Sequence, residues 1–112
     1  MVIVVVKGKI SEEEFRKAKQ DYGTYIKITA DLESRMAALG GEYHADAEKI
    51  LLKKGAKQEN IWGGGINLET KQIETNAIIN IRPAINDSPE ILDSLKREKF
   101  ISLAKQILEK YV

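Results

Sequence analysis

The stretch Tyr25-Ile26-Lys27-Ile28-Thr29-Ala30-Asp31-Leu32 sets Ile26, Ile28, Ala30 and Leu32 on one side and Lys27, Thr29 and Asp31 on the other. A period of two is that of a pleated strand with one face buried. Met36 to Leu39 is a second short apolar run. A turn near Glu33-Ser34 folds the two into a hairpin, and Gly40-Gly41 breaks the pattern after it. Upstream, Val2-Ile3-Val4-Val5-Val6 is a continuous β-branched run, the pattern of a strand covered on both faces, which predicts a central place in the sheet. Ser11-Glu12-Glu13-Glu14 follows as a capping box and opens a helix. Phe15, Ala18 and Tyr22 share one face of that helix, and Gly23 is placed to end it.

Downstream of the hairpin, Ala45 to Lys54 carries Ala47, Ile50 and Leu51 on one face, with Asp46 and Glu48 in the first turn and Lys53 and Lys54 in the last. These charges complement a helix dipole, and Gly55 supplies the stop. Ile61 to Leu68, interrupted by Gly63-Gly64-Gly65, and Ile73 to Ile81 read as a second hairpin around Thr70-Lys71. The alternation predicts Ile73, Ala77, Ile79 and Ile81 on one face of its second strand, and Glu74, Asn76, Asn80 and Arg82 on the other. Pro83 has no amide hydrogen to donate and ends the pairing. Ser88-Pro89 and the spacing of Leu95, Phe100, Leu103, Ala104, Ile107, Leu108 and Tyr111 predict a long amphipathic terminal helix. The order is β-α-β-β-α-β-β-α. It predicts an α+β fold: a mixed or mostly antiparallel five-stranded sheet with three helices packed chiefly on one face, in a single domain over residues 1–112.

Composition narrows the function classes. Apolar residues make up 43% and charged residues 31%, so the chain has the makings of a packed core and not of a disordered segment. Eighteen basic and seventeen acidic side chains leave a net charge of +1, and no overall field attracts nucleic acid. The clusters Lys53, Lys54, Lys57 and Lys96, Arg97, Lys99 read as solvated helix faces, because acids interleave with them. With no cysteine, a disulfide framework, a thiolate zinc site and an iron–sulfur cluster are excluded; haem is not expected either. The Val2–Val6 run is too short to span a membrane and lacks the flanks of a signal peptide, which points to the cytoplasm.

Chemistry concentrates in Glu42, His44, Asp46 and Glu48, around the only histidine. On a helix His44 and Glu48 share a face; on an extended segment Glu42, His44 and Asp46 share a side. Either way a carboxylate can hold the imidazole tautomer and raise its basicity, as a general base or a carboxylate-rich site for magnesium or manganese requires. The plainer reading makes Asp46 and Glu48 ordinary helix-start residues and His44 a structural hydrogen-bonder. Arg82, with Asn80, is suited to a small anionic ligand, or pairs with Asp31 inside the chain. Trp62-Gly63-Gly64-Gly65 reads as an aromatic at core or rim followed by a bulge, or as a mobile loop with an aromatic lid.

The string Ala38-Leu39-Gly40-Gly41-Glu42-Tyr43-His44-Ala45-Asp46-Ala47-Glu48, with Gln58, Trp62-Gly63 and Ile79-Asn80-Ile81-Arg82-Pro83, resembles a family of small prokaryotic proteins catalogued as a domain of unknown function. The resemblance covers nearly the whole chain. It implies that Glu42, His44, Asp46, Gln58, Trp62, Asn80 and Arg82 stand at the family's motif positions, and it carries over no activity. Two functions follow as expectations. The first is a non-catalytic binding or interaction module, a homodimer that uses an open sheet face or an edge strand. The alternative is a small-molecule site, hydrolytic and assisted by a divalent cation, with His44, Glu42 and Asp46 as the catalytic group and Arg82, Asn80, Asp31, Trp62 and Gln58 as ligand-binding residues.

Overall fold

The computed structural model describes residues 2–112. Five strands form one antiparallel sheet: β1 (Ile3–Lys7), β2 (Tyr25–Asp31), β3 (Met36–Gly40), β4 (Ile61–Asn67) and β5 (Gln72–Glu74), in the spatial order β1-β3-β2-β4-β5. Three α-helices, α1 (Glu12–Ala18), α2 (His44–Lys53) and α3 (Ser94–Ile107), complete the α+β fold in the predicted order. The Val2–Val6 run is not central, however. β1 is an edge strand paired only with β3, and its apolar side chains on both faces reflect helices above and below the sheet, not neighbours on either side.

The two faces carry separate cores. Val4, Val6, Ile26, Ile28, Ala30, Ala37, Leu39, Trp62 and Ile66 point to one face, where Phe15 and Ala18 of α1 and Phe100, Leu103, Ala104 and Ile107 of α3 cover them. Ile3, Val5, Met36, Ala38 and Ile61 point to the other, under Ala47 and Leu51 of α2 and under Ile79. The helices are thus divided between the faces and not gathered on one. The polar side of the quoted alternation, Thr29 and Asp31, is buried as well, because α2 lies over it.

α1 opens with the expected capping box: the Glu14 amide donates to Ser11 Oγ and the Ser11 amide donates to the Glu14 carboxylate. It ends at Ala18, sooner than the Phe15/Ala18/Tyr22 spacing predicts. Asp21 accepts from the Val2 amide and ties the following loop to the start of β1, so the chain turns across the sheet edge before Tyr22.

Both hairpins turn in the same way. In the first, the Asp31 side chain accepts from the Glu33 amide, the Arg35 amide donates to Asp31 O, and Arg35 takes φ 62°. In the second, the Asn67 side chain accepts from Glu69 and Thr70, the Lys71 amide donates to Asn67 O, and Lys71 takes φ 66°. The sequences Asp31-Leu32-Glu33-Ser34-Arg35 and Asn67-Leu68-Glu69-Thr70-Lys71 match type for type. In each, an Asx side chain organises the turn and the leucine packs into the α1/α3 core.

Gly63-Gly64-Gly65 forms neither a loop nor a bulge. All three are buried residues of β4, in register opposite Thr29, Ile28 and Lys27 of β2. The packing explains them. A Cβ on Gly64 would stand 2.1 Å from the Glu74 carbonyl oxygen and 2.7 Å from the Phe100 ring, and a Cβ on Gly65 would stand 2.1 Å from the Tyr25 hydroxyl. Gly64→Ala should therefore destabilise the protein by roughly 3 kcal/mol or prevent folding. Gly23→Ala, where an added Cβ meets nothing within 4 Å, should change stability little. Urea denaturation of the two variants checks this.

Candidate functional site

The sequence predicts one strand from Ile73 to Ile81, but β5 stops at Glu74. Beyond it the backbone of β4 still needs partners on that side, and a side chain supplies them. Asn80, fully buried in a short 3-10 turn (Ile78–Asn80), accepts from the Gly63 amide at 2.8 Å and donates to the Gly63 carbonyl at 2.9 Å. Its amide thus does what a strand residue would do. The second Asn80 hydrogen goes to the Pro89 carbonyl. Asn86, also buried, donates to the carbonyls of Asn80, Ser88 and Glu90 and accepts from the Leu92 amide. Two asparagines hold residues 75–92, a segment with little regular structure of its own, against the sheet.

Arg82 follows on the other side of this turn and faces no polar sheet surface. Its guanidinium lies 4.1 Å from the Trp62 ring centroid and donates to the Ile61 carbonyl. Burial lowers its pKa, against a smaller opposing effect of Glu48. Lys96 approaches the same indole at 5.0 Å. Trp62 is a core residue, its indole N–H donating to the Glu59 carbonyl. Gln58, Trp62, Arg82 and Lys96 border a small cavity of about 250 Å³. Asp31 is elsewhere: its carboxylate is taken up by the hairpin turn, accepting from the Glu33 amide and the Ser34 hydroxyl, and makes no pair with Arg82.

His44 lies in a different place again. It is the first residue of α2, and its ring rests over β4 at Gly63, where an added Cβ would come within 3.0 Å of the imidazole. Its Nε2–H donates to the Gly64 carbonyl at 2.7 Å, which fixes the neutral tautomer and leaves Nδ1 as the acceptor. Burial is the main influence on its pKa and lowers it; the Gly64 bond favours the charged form and Lys27 disfavours it. The imidazole borders a groove of about 580 Å³. Tyr25 and Lys27 of β2 form its floor, residues 42–45 one wall and residues 76–79 the other, with Tyr22 at one end.

Of the predicted catalytic group, His44 and Glu42 border this groove and Asp46 does not. Among the described residues, no three His, Asp or Glu side chains gather as a metal-holding set. Sequence reading missed Tyr22, Tyr25 and Lys27. Their signal was the glycine triplet: bare backbone on β4 is what lets the Tyr25 phenol lie over Gly65.

A family model described as a protein of unknown function, DUF5674, matches residues 4–107. The chain belongs to the DUF5674 family. No curated protein and no solved structure matches it. Among the described residues of this DUF5674 protein no helix is long and apolar enough to cross a membrane.

Asn80→Ala strands the Gly63 amide and carbonyl and should cost on the order of 3 kcal/mol in urea denaturation. For His44, a folded pKa below the ordinary 6.5 means that the unfolded chain binds the extra proton first. The stabilisation is complete above that ordinary value and is lost as pH falls through the lower folded one. Proton NMR of the imidazole should give a midpoint below 6.5, and His44→Gln should flatten the stability profile over that window.

Proposed function

We propose that this DUF5674 protein is a non-catalytic interaction module that pairs with a second copy of itself through β1. The observation that carries the reading is the contrast between the two edges of the sheet. An open edge offers a row of backbone donors and acceptors, and proteins that stay monomeric blunt it by brevity, charge or proline. The β5 edge is blunted: it is three residues long, Gln72-Ile73-Glu74, and polar at both ends. β1 is five residues long, with no proline and no charge before Lys7 at its end, and Ile3, Val4 and Val5 are only half-buried.

Antiparallel pairing of β1 with its copy continues the antiparallel sheet and obeys a two-fold axis, which makes the contact self-complementary. It removes the exposed parts of Ile3, Val4 and Val5 from water on both faces at once. The dispersal of the histidine, the arginine and the acids over separate places supports a module without catalysis. Sedimentation over a range of concentrations tests the reading. A dimer is expected for the native chain, and a monomer for Ile3→Lys, which sets a charge into the joint. A native chain that sediments as a monomer throughout, or a dimer indifferent to Ile3→Lys, counts against it.

A further inference from the structure

The groove beside His44 has no part in pairing through β1. At about 580 Å³ it lies within the range of small-ligand sites. We propose that it binds a small aromatic carboxylate.

The charge requirement comes from Lys27. Its ammonium stands 5.4 Å from the Tyr22 ring and 5.7 Å from the Tyr25 ring, held by the π-faces, and among the described residues no carboxylate pairs with it. A half-buried cation with aromatic neighbours alone is an incomplete arrangement, and an anion completes it. The start of α2 adds to the same field. Tyr43 is its N-cap and offers no side-chain bond, so the positive end of the helix opens on the groove at His44 and Ala45. Burial disfavours the charged form of His44, and its Nε2–H is taken by the Gly64 carbonyl.

The limit on charge comes from the acids. Glu42 stands on the exposed rim, and Glu74 bonds the Tyr25 hydroxyl at 3.4 Å, raising the phenol pKa to about 12 together with the larger effect of burial. The groove as a whole is therefore not cationic: a negative group is favoured only where it meets Lys27, and Glu42 and Glu74 oppose a second negative charge, which sets a monoanion as the limit and disfavours a phosphate dianion. The rest of the ligand is set by the apolar walls. Ile78 is 81% exposed and Tyr43 62% exposed, although both border the concavity, and Ala77 and Ile79 lie behind them. A flat apolar body between these side chains removes their surfaces from water.

The test uses three matched probes: 4-hydroxyphenylacetate, its primary amide, and tyramine. Each is titrated into the ¹⁵N-labelled protein and followed by backbone amide shifts, with Ile3→Lys run alongside so that failure of pairing and failure of binding are read separately. The acid should give saturable shifts at Lys27, His44 and Ala45, and bind at least tenfold more tightly than the amide or the amine. Lys27→Gln should weaken the acid about tenfold, and Tyr43→Ala, at an exposed position, should weaken it as well. Equal binding of all three probes, acid binding unchanged in both variants, or no saturable shift at millimolar probe overturns the proposal.

Discussion

The structure depends on a stretch of backbone that carries no side chains. β4 lies inside the sheet between β2 and β5, and at Gly63, Gly64 and Gly65 three successive positions lack a Cβ. Phe100 fills the space on one face; Tyr25 and His44 fill it on the other. Each ring lies directly on the peptide plane, closer than any side chain at those positions would permit. The glycines lose more backbone entropy on folding than other residues would. That loss is offset by the approach of a buried α3 aromatic and by the formation of a groove whose floor and one wall are aromatic.

The same bare strand creates the demand that Asn80 meets. Had β5 continued to Ile81, its side chains would have stood where His44, Ala77 and Ile79 now meet over Gly63. Instead the pairing strand stops at Glu74, and a primary amide, with one acceptor and two donor hydrogens, replaces the peptide group that is missing. This leaves residues 75–92 free of strand geometry while Asn80 and Asn86 pair with the backbone around them. One wall of the groove, residues 76–79, owes its position to this substitution.

How much of this was legible follows from which signals are local. The capping box of α1, the alternation of β2 and the order of elements depend on neighbours in sequence, and they were readable. The place of β1 was not. A β-branched run records that both faces are covered, and an edge strand between two helical layers meets that condition as well as a central one does. The reading of Ile73 to Ile81 as one strand failed because alternation of apolar and polar types does not distinguish an asparagine facing solvent from one replacing a peptide. Likewise three glycines in a row suggest freedom of the chain, whereas here they report crowding on both faces. The site suffered most from this. His44, Asn80 and Arg82 all meet β4, but His44 meets it at Gly64 and Arg82 at Ile61, three residues apart, which at about 3.3 Å per residue places them roughly 10 Å from one another along the strand.

That separation bears on what the molecule can combine. Arg82 and Lys96 use their charge to cover the Trp62 indole, so their contribution is to the core, and substituting either removes packing as well as charge. Lys27 has no such indole to cover, and its charge faces a groove. The groove is built on β2, β4 and the start of α2, whereas the open edge belongs to β1, with β3 between β1 and β2. A second copy joined at β1 would therefore leave each groove open, with its own cation and its own helix terminus. The element that touches both places is α2, which packs on Ile3 and Val5 of β1 through Ala47 and Leu51 and borders the groove with His44 and Ala45. The two places differ in what builds them: the β1 edge is an unpaired β-branched strand, and the groove rests on a strand without side chains.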